Sequence, residues 1–395
     1  MRILHVVASL GLRQGGVSVS VRALCEGLAQ LGHEVRVVTT RRDHDLAVDG
    51  PADARLAAAG VSVQYLPVHP WRWLGERCAY SPGLIQALRT TLPTTDVAHL
   101  HGIWQYPTAA AAAACRRQRV PYVVSPCGAL DPPAFRTRPW LKWAYGWLVE
   151  RRTLARAAAW HFTSALEQRR AATFGVRRRG VVIPCPLPPA PPAPPGVFRT
   201  RHPETRDRPL LLFLGRLHRK KRLDLVVEAF LQLARRRQDI HLVVAGPDEG
   251  EGAPARRRLA EAGAQDRVTI LELLVDSEKT AAFQDSTVFL LPSDDENFGL
   301  TVAEAMAAGV PVLVSPHVGL AESVAAAGAG LVVDGDAAVW AAAIERLLDA
   351  PAQRQAMGDA GRRFAAGHLR PETVAGAMAE AYDAARRRPR PGSAR

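Results

Sequence analysis

Short apolar runs, each long enough for one strand, alternate with helical stretches twice along these 395 residues, and a proline-crowded segment separates the two series. The first series runs through Ile3 to Ala8, a helical stretch near Val17 to Leu31, Glu34 to Thr39, Val61 to Leu66, Val97 to Leu100, a helical stretch over Thr108 to Arg117, and Tyr122 to Ser125. Uninterrupted apolar strands joined through helices must pair in parallel, because parallel neighbours need a crossover and are covered on both faces. The second series runs through Leu210 to Leu214, His241 to Ala245, Val268 to Leu271, Val288 to Leu291, Val310 to Val314 and Gly330 to Val333, then helices to about residue 385. Between them, residues 184–195 read PCPLPPAPPAPP, a semi-rigid polyproline stretch with nothing to build a core. The length exceeds one ordinary core, so two doubly wound α/β domains facing across a cleft are expected. Their bounds are 1–185 and 205–370, with 186–204 as linker. Residues 371–395 supply a final helix, able to return to the N-terminal domain, and a basic tail.

Composition excludes several classes. Five cysteines, Cys25, Cys78, Cys115, Cys127 and Cys185, form no CxxC pair, which argues against a zinc ribbon and a disulfide framework and fits a reducing cytoplasm. The opening MRILHVVASLGL has the outline of a signal peptide, but His5 interrupts it and a glycine-rich turn replaces a cleavage site, so it reads as a first strand. No run reaches the roughly 18 apolar residues of a membrane span. Lys plus Arg exceeds Asp plus Glu by 51 − 38, a net charge of +13, clustered at Arg177 to Arg179, Arg235 to Arg237, Arg256 to Arg258 and Arg386 to Arg388. No helix-turn-helix, zinc finger or RNP-type aromatic pattern accompanies that charge, so nucleic acid is not the expected partner. Solvated helix ends and contact with an anionic membrane surface remain the two readings. Trp140, Trp143 and Trp147, near Lys142, Arg151, Arg152 and Arg156, form a helical pattern that fits either a headgroup interface or a core stripe.

The chemistry concentrates in ENFGLTVAE, residues 296–304. Val288 to Leu291 reads as a strand, Pro292 to Asn297 as the loop at its carboxyl end, and Thr301 to Ala308 as a helix, and ligands of open α/β sheets bind at that edge. The first helical turn around Gly299 to Thr301 has unpaired N–H groups that suit a phosphate, and Gly299 lets backbone approach closely. Glu304 lies one turn in, where a carboxylate can accept from two vicinal hydroxyls, and Glu296 stands before the turn.

In the same series LLLFL runs into GRLHRKKRLD, which places Arg216 and Lys221 at a strand's carboxyl end, where two cations can face a diphosphate. In the first series Gly15 and Gly16 open the helix from Val17 and can admit an anion or a sugar to the backbone. They lack a complete GxGxxG. His101, in HLHGIW, sits at a carboxyl edge and suits a sugar hydroxyl, since HxH without further ligands reads as two strand residues on one face. Asp334 and Asp336 form a DxD string, but VVDGD precedes a helix and Asp336 reads as its cap. No metal site is expected.

Together these residues resemble retaining glycosyltransferase family 4, with two Rossmann-like domains in the GT-B arrangement. The resemblance is carried by GGVSVSVRALCEGLAQLGHEV, HLHGIW, SPCGAL, GRLHRKKRLD, VVAGPDEG and PSDDENFGLTVAEAMAAGVPVLVS, in order along nearly the whole chain. It implies that Arg216 and Lys221 hold a donor diphosphate, Glu304 the ribose hydroxyls and Glu296 a hydroxyl of the transferred sugar. Backbone of Phe298, Gly299 and Leu300 would line the sugar and phosphate site, with His101 reaching the sugar. Such enzymes are similar in needing no bound metal or cofactor. The chain departs from the pattern at Arg222, at VIPCPL, at Glu272 and at Val318, where glycine or asparagine-glycine is usual.

The resulting expectation is a cytoplasmic enzyme, peripheral at the inner face of the cell membrane. It would move a hexosyl group from a UDP- or GDP-linked donor to a glycan or lipid-linked acceptor in surface polysaccharide (exopolysaccharide) synthesis. A sugar-nucleotide epimerase on the same architecture and a non-enzymatic basic binding protein are the alternatives.

Overall fold

Every strand pairing among the described residues is parallel, and the strands form two separate sheets. The computed structural model describes residues 1–71, 73–130, 155–173, 180–274 and 276–387. Trp140, Trp143, Trp147, Lys142, Arg151, Arg152 and Arg177 to Arg179 lie outside that set, as does the tail from Arg388.

In the first part of the chain the order is β1 (Arg2–Ser9), α1 (Gly16–Gln30), β2 (Glu34–Thr40), α2 (Leu46–Ala58), β3 (Ser62–Leu66), α3 (Leu84–Thr91), β4 (Val97–His101), α4 (Tyr106–Gln118), β5 (Tyr122–Ser125), β6 (Ala159–Phe162), α5 (Ala165–Ala172) and β7 (Gly180–Val182). The second part holds α6 (Val197–Arg201), β8 (Leu210–Leu214), α7 (Leu223–Ala234), β9 (His241–Ala245), α8 (Gly252–Glu261), β10 (Val268–Leu271), α9 (Asp276–Gln284), β11 (Val288–Leu291), α10 (Leu300–Ala308), β12 (Val312–Val314), α11 (Ala321–Ala327), β13 (Gly330–Val332), α12 (Ala337–Leu348) and α13 (Pro351–His368). The last helix is α14 (Pro371–Arg387).

The seven-stranded sheet has the order β3-β2-β1-β4-β5-β6-β7, and the six-stranded sheet β10-β9-β8-β11-β12-β13. Both are doubly wound, and the order reverses next to the first strand of each. The switch points are therefore β1/β4 and β8/β11, and the loops leaving those strands are where such sheets bind ligands. Gly15, Gly16 and His101 border the first switch point, and Arg216, Lys221, Glu296 and Gly299 the second.

The chain divides into two units, Met1–Pro188 with Arg370–Arg395, and Pro189–Leu369. Of the expected linker 186–204, Val197–Arg201 is helical and its Phe198 is 1% exposed in the second unit. In the first unit α14 lays Val374, Ala375, Met378, Ala381, Tyr382 and Ala385 against Leu24 and Leu28 of α1 and Ile3 of β1. Positions 374, 378, 382 and 385 follow one helical face, so this is an amphipathic stripe against a sheet. Each large apolar side chain buried there contributes about 1.5–3 kcal/mol. The other face of the sheet is covered by Leu84 and Leu88 of α3 and by Ala111, Ala112 and Cys115 of α4.

Asp336 is the cap its sequence context indicates: its side chain accepts from the N–H of Ala338 at 3.0 Å and of Val339 at 3.2 Å.

Candidate active site

The loop leaving β8 carries Gly215 and Arg216 and tightens into a 3-10 turn at Arg219–Lys221. The His218 side chain accepts from the Lys220 N–H at 3.1 Å, and Arg222 then takes a left-handed conformation with φ 55°. That conformation is the one where glycine is usual, and Arg222 is held in it by its partners: its guanidinium donates to Asp224 at 3.1 Å and to Asp294 at 3.1 Å.

Opposite this turn lies the loop leaving β11. Three successive basic residues meet three successive acids: Lys220 meets Asp295 at 2.6 Å, Lys221 meets Glu296, and Arg222 meets Asp294. The Asp294 N–H also donates to the Lys220 carbonyl at 2.9 Å, so backbone as well as charge ties the loops together. The Lys221 and Glu296 side chains are 16% and 19% exposed, enough burial for their attraction to exceed that of a surface pair.

Glu296 is fixed from its other side by the turn that follows β12. Its N–H donates to the His317 carbonyl at 3.2 Å, the Gly319 N–H donates to the Glu296 carbonyl at 2.9 Å, and the Leu320 N–H donates to Phe298 at 3.0 Å. Gly319 permits this approach, because a Cβ there would lie 2.0 Å from the Asn297 carbonyl oxygen. Val318, by contrast, is accommodated at the neighbouring site and is 1% exposed. Gly299 opens α10 with φ 96°, and a Cβ on it would meet Val318 at 3.0 Å. The N–H groups of Leu300 and Thr301 begin the helix with no carbonyl one turn behind them inside it. Phe298 is 4% exposed, its side chain buried in the second unit. Glu304, one turn into α10, receives the Lys279 ammonium of α9 at 2.6 Å.

Arg216 is more open. Its guanidinium Nη1 donates to both carboxylate oxygens of Glu249, at 2.9 and 3.0 Å.

At the first switch point Gly15 caps α1 with φ 83° and Gly16 is its first residue. A recess of about 450 Å³ beside it is lined by Arg13, Arg41, Asp43, His44, Asp45 and Leu46. His101 differs from a residue open to a sugar: it is 4% exposed, and its Nε2 lies 2.9 Å from Nδ1 of His5. It belongs to a buried histidine cluster on neighbouring strands, where desolvation pulls His5 down to about 3, His161 down to about 4, and His99 and His101 well below the usual imidazole range. All four are neutral at pH 7.

Neutral rings make the hydrogen bonds directional. The Ile183 carbonyl can only accept, so His161 Nε2 donates to it at 2.9 Å, and His161 Nδ1 accepts from the Ser125 hydroxyl at 2.5 Å. Ser125 has one proton, so its oxygen accepts from His99 Nε2 at 2.8 Å, and His99 Nδ1 accepts from the Tyr382 hydroxyl at 2.7 Å. Side-chain nitrogens of His5, His99 and His101 lie within 4.8 Å of one another, yet this chain of bonds occupies both nitrogens of His99. His5 Nε2 has no partner among the described residues. The Tyr382→Phe variant, which leaves His99 Nδ1 buried without a donor, is expected to lose about 1–3 kcal/mol in urea unfolding. An unchanged midpoint would show that the wire does not help hold α14.

Of the residues singled out in the sequence, Arg216, Lys221, Glu296, Glu304 and the Gly299 turn lie in the second unit around the β8 and β11 loops and α10, while sequence reasoning did not anticipate Lys279, the Lys220 and Arg222 pairs, or the Ser125–His161–Tyr382 wire. The KKR and DDE runs were the available signal for the first set.

Residues 15–186 match the family described as glycosyl transferase 4-like domain, and residues 197–364 that described as glycosyl transferases group 1. A D-inositol 3-phosphate glycosyltransferase of Frankia alni is 32% identical over 386 residues, covering 88% of this chain and 90% of that protein. One of the same description from Pseudarthrobacter chlorophenolicus is 40% identical over 154 residues, 38% of this chain and 37% of that one. The crystal structure of Anabaena Alr3699/HepE in complex with UDP and glucose is similar in fold, with a TM-score of 0.76 and 16% identity over 97% of this chain and 99% of that one.

Proposed function

We propose a donor and an acceptor for this chain, which belongs to glycosyltransferase family 4 and adopts the two-domain GT-B fold. The donor is a nucleotide-diphosphate sugar, and the reaction moves its hexosyl group to an acceptor hydroxyl with retention of anomeric configuration. The observation that carries this reading is the contact of Lys221 with Glu296 across the second switch point, immediately before the glycine-started helix α10. A cation, a hydroxyl acceptor and free backbone N–H groups are thereby gathered on one sheet edge.

In this reading Arg216 and Lys221 take the diphosphate and Glu304 the ribose. Glu296 takes a hydroxyl of the sugar, along backbone of Phe298, Gly299 and Leu300. The leaving-group charge is carried by these cations and the α10 terminus, without a bound metal or cofactor. A role for His101 on the sugar requires its Nε2 to leave His5, so the reading assigns the sugar to Glu296. UDP in the HepE structure favours uridine over guanosine as the base.

For the acceptor we propose a glycan or lipid-linked hydroxyl in surface polysaccharide synthesis, reached from the cytoplasmic face of the membrane. Among the described residues no helix is long and apolar enough to cross a membrane. A second reading, a phosphorylated polyol, is favoured by the relatives named D-inositol 3-phosphate glycosyltransferases.

Incubation with a panel of UDP- and GDP-sugars, with and without lipid-linked glycan or inositol phosphate, separates these readings. Nucleoside diphosphate release that depends on one acceptor is expected. A new sugar nucleotide formed from donor alone would instead make the chain an epimerase. Salt-sensitive binding to duplex DNA with no nucleotide affinity would make it a basic binding protein. The true donor, at 100 times its dissociation constant, is expected to stabilise the protein by about 2.7 kcal/mol in thermal unfolding.

A further inference from the structure

Glu249 occupies a donor nitrogen of Arg216, the cation read above as taking the diphosphate. Both its carboxylate oxygens are on Arg216 Nη1, at 2.9 and 3.0 Å, so one nitrogen serves both instead of the two-nitrogen fork of a strong Arg–carboxylate pair. The two backbones are fixed against each other. Leu217 donates to the Pro247 carbonyl at 2.8 Å, and the N–H groups of Glu249 and Glu251 donate back to the Leu217 carbonyl at 3.1 and 3.2 Å. Asp248 braces the same turn by accepting from Gly250 and Gly252, each at 2.9 Å. What is left to rotate is the two side chains. Both side chains are substantially exposed, 57% for Arg216 and 36% for Glu249, so the pair is weak and its carboxylate is readily returned to water.

We propose that Glu249 is a specificity-determining residue of the donor site, a resident carboxylate that an incoming diphosphate displaces from Arg216. The inference rests on the reading of Arg216 as a diphosphate-binding cation. A nucleoside diphosphate brings several negative charges and outcompetes one carboxylate, whereas a singly charged anion does not. Glu249 therefore raises the charge an anion must carry to enter, at some loss of affinity for the donor itself. Lys221 is different: its partner Glu296 is assigned to the sugar and stays in the site.

Calorimetric titration of the full chain with inorganic pyrophosphate and with UDP, at low salt, tests this in wild type, E249Q, R216A and the double variant. Removing the charge in E249Q is expected to tighten both ligands by about 2- to 5-fold, an inverse effect for a binding-site substitution. The gain should shrink at about 0.5 M salt and vanish in the R216A background. Equal or weaker binding by E249Q, with R216A still impaired, overturns the role of Glu249 while leaving Arg216 in place. Unchanged affinity in R216A overturns the reading of the donor site itself.

Discussion

Lys221→Ala is expected to lower turnover by about 10- to 100-fold, from the roughly 1–3 kcal/mol that a cation on a departing phosphate supplies as charge develops. Only the part of that attraction that grows toward the transition state accelerates the reaction, so the loss appears in kcat as well as kcat/KM. Glu304→Ala should behave differently, because the hydrogen bonds to ribose proposed for it would be the same before and during bond breaking. Its donor KM is expected to rise by about 10-fold with kcat within about twofold. Lys221→Ala also leaves Glu296, at 19% exposure, without its ammonium. Lys221→Arg therefore serves as control, since it keeps the charge and should recover part of the rate if charge is what matters. Steady-state kinetics decide it: wild-type values for both Lys221→Ala and Glu304→Ala would remove these residues from the donor site.

Acidification is expected to melt the first unit before the second. His5 and His161 have folded-state values of about 3 and about 4, against 6.5 for the free side chain, and His99 and His101 are also strongly lowered. A lowered imidazole pKa means that the unfolded chain takes up protons first as pH falls. Stability is thus full above about pH 6.5 and is lost as pH falls from there toward the folded values. At pH 5 each such buried histidine costs about 2 kcal/mol, so His5 and His161 together remove about 4. Among the described residues the second unit has one comparable histidine, His241, lowered to about 4 chiefly by burial. Calorimetry between pH 8 and pH 5 should therefore show two transitions drawing apart, with the lower one falling faster. Transitions that hold their spacing, or a second unit that fails first, would contradict the assignment.

Much of the fold was legible because parallel strands covered on both faces read as unbroken apolar runs, as β8, β9 and β11 do. The misses have local causes. Helix α2 carries Gly50 and Pro51 inside it, β7 is a three-residue edge strand with partly exposed residues, and α9 has almost no apolar stripe. At the site, the residues were legible singly but not their pairing. Lys221 and Glu296 are 75 positions apart, and His99 and Tyr382 are 283 apart. Nothing in local spacing encodes such meetings, which depend on the strand order placing β8 next to β11 and on α14 packing against the first sheet.

The first unit runs to Pro188 and resumes only at Arg370. A ribosome that has made the N-terminal half has therefore released a sheet whose covering helix, with Tyr382, is still almost two hundred residues from synthesis. The intervening unit can complete itself first, because its chain is continuous from Pro189 to Leu369. The half that begins translation is thus the one that finishes folding last.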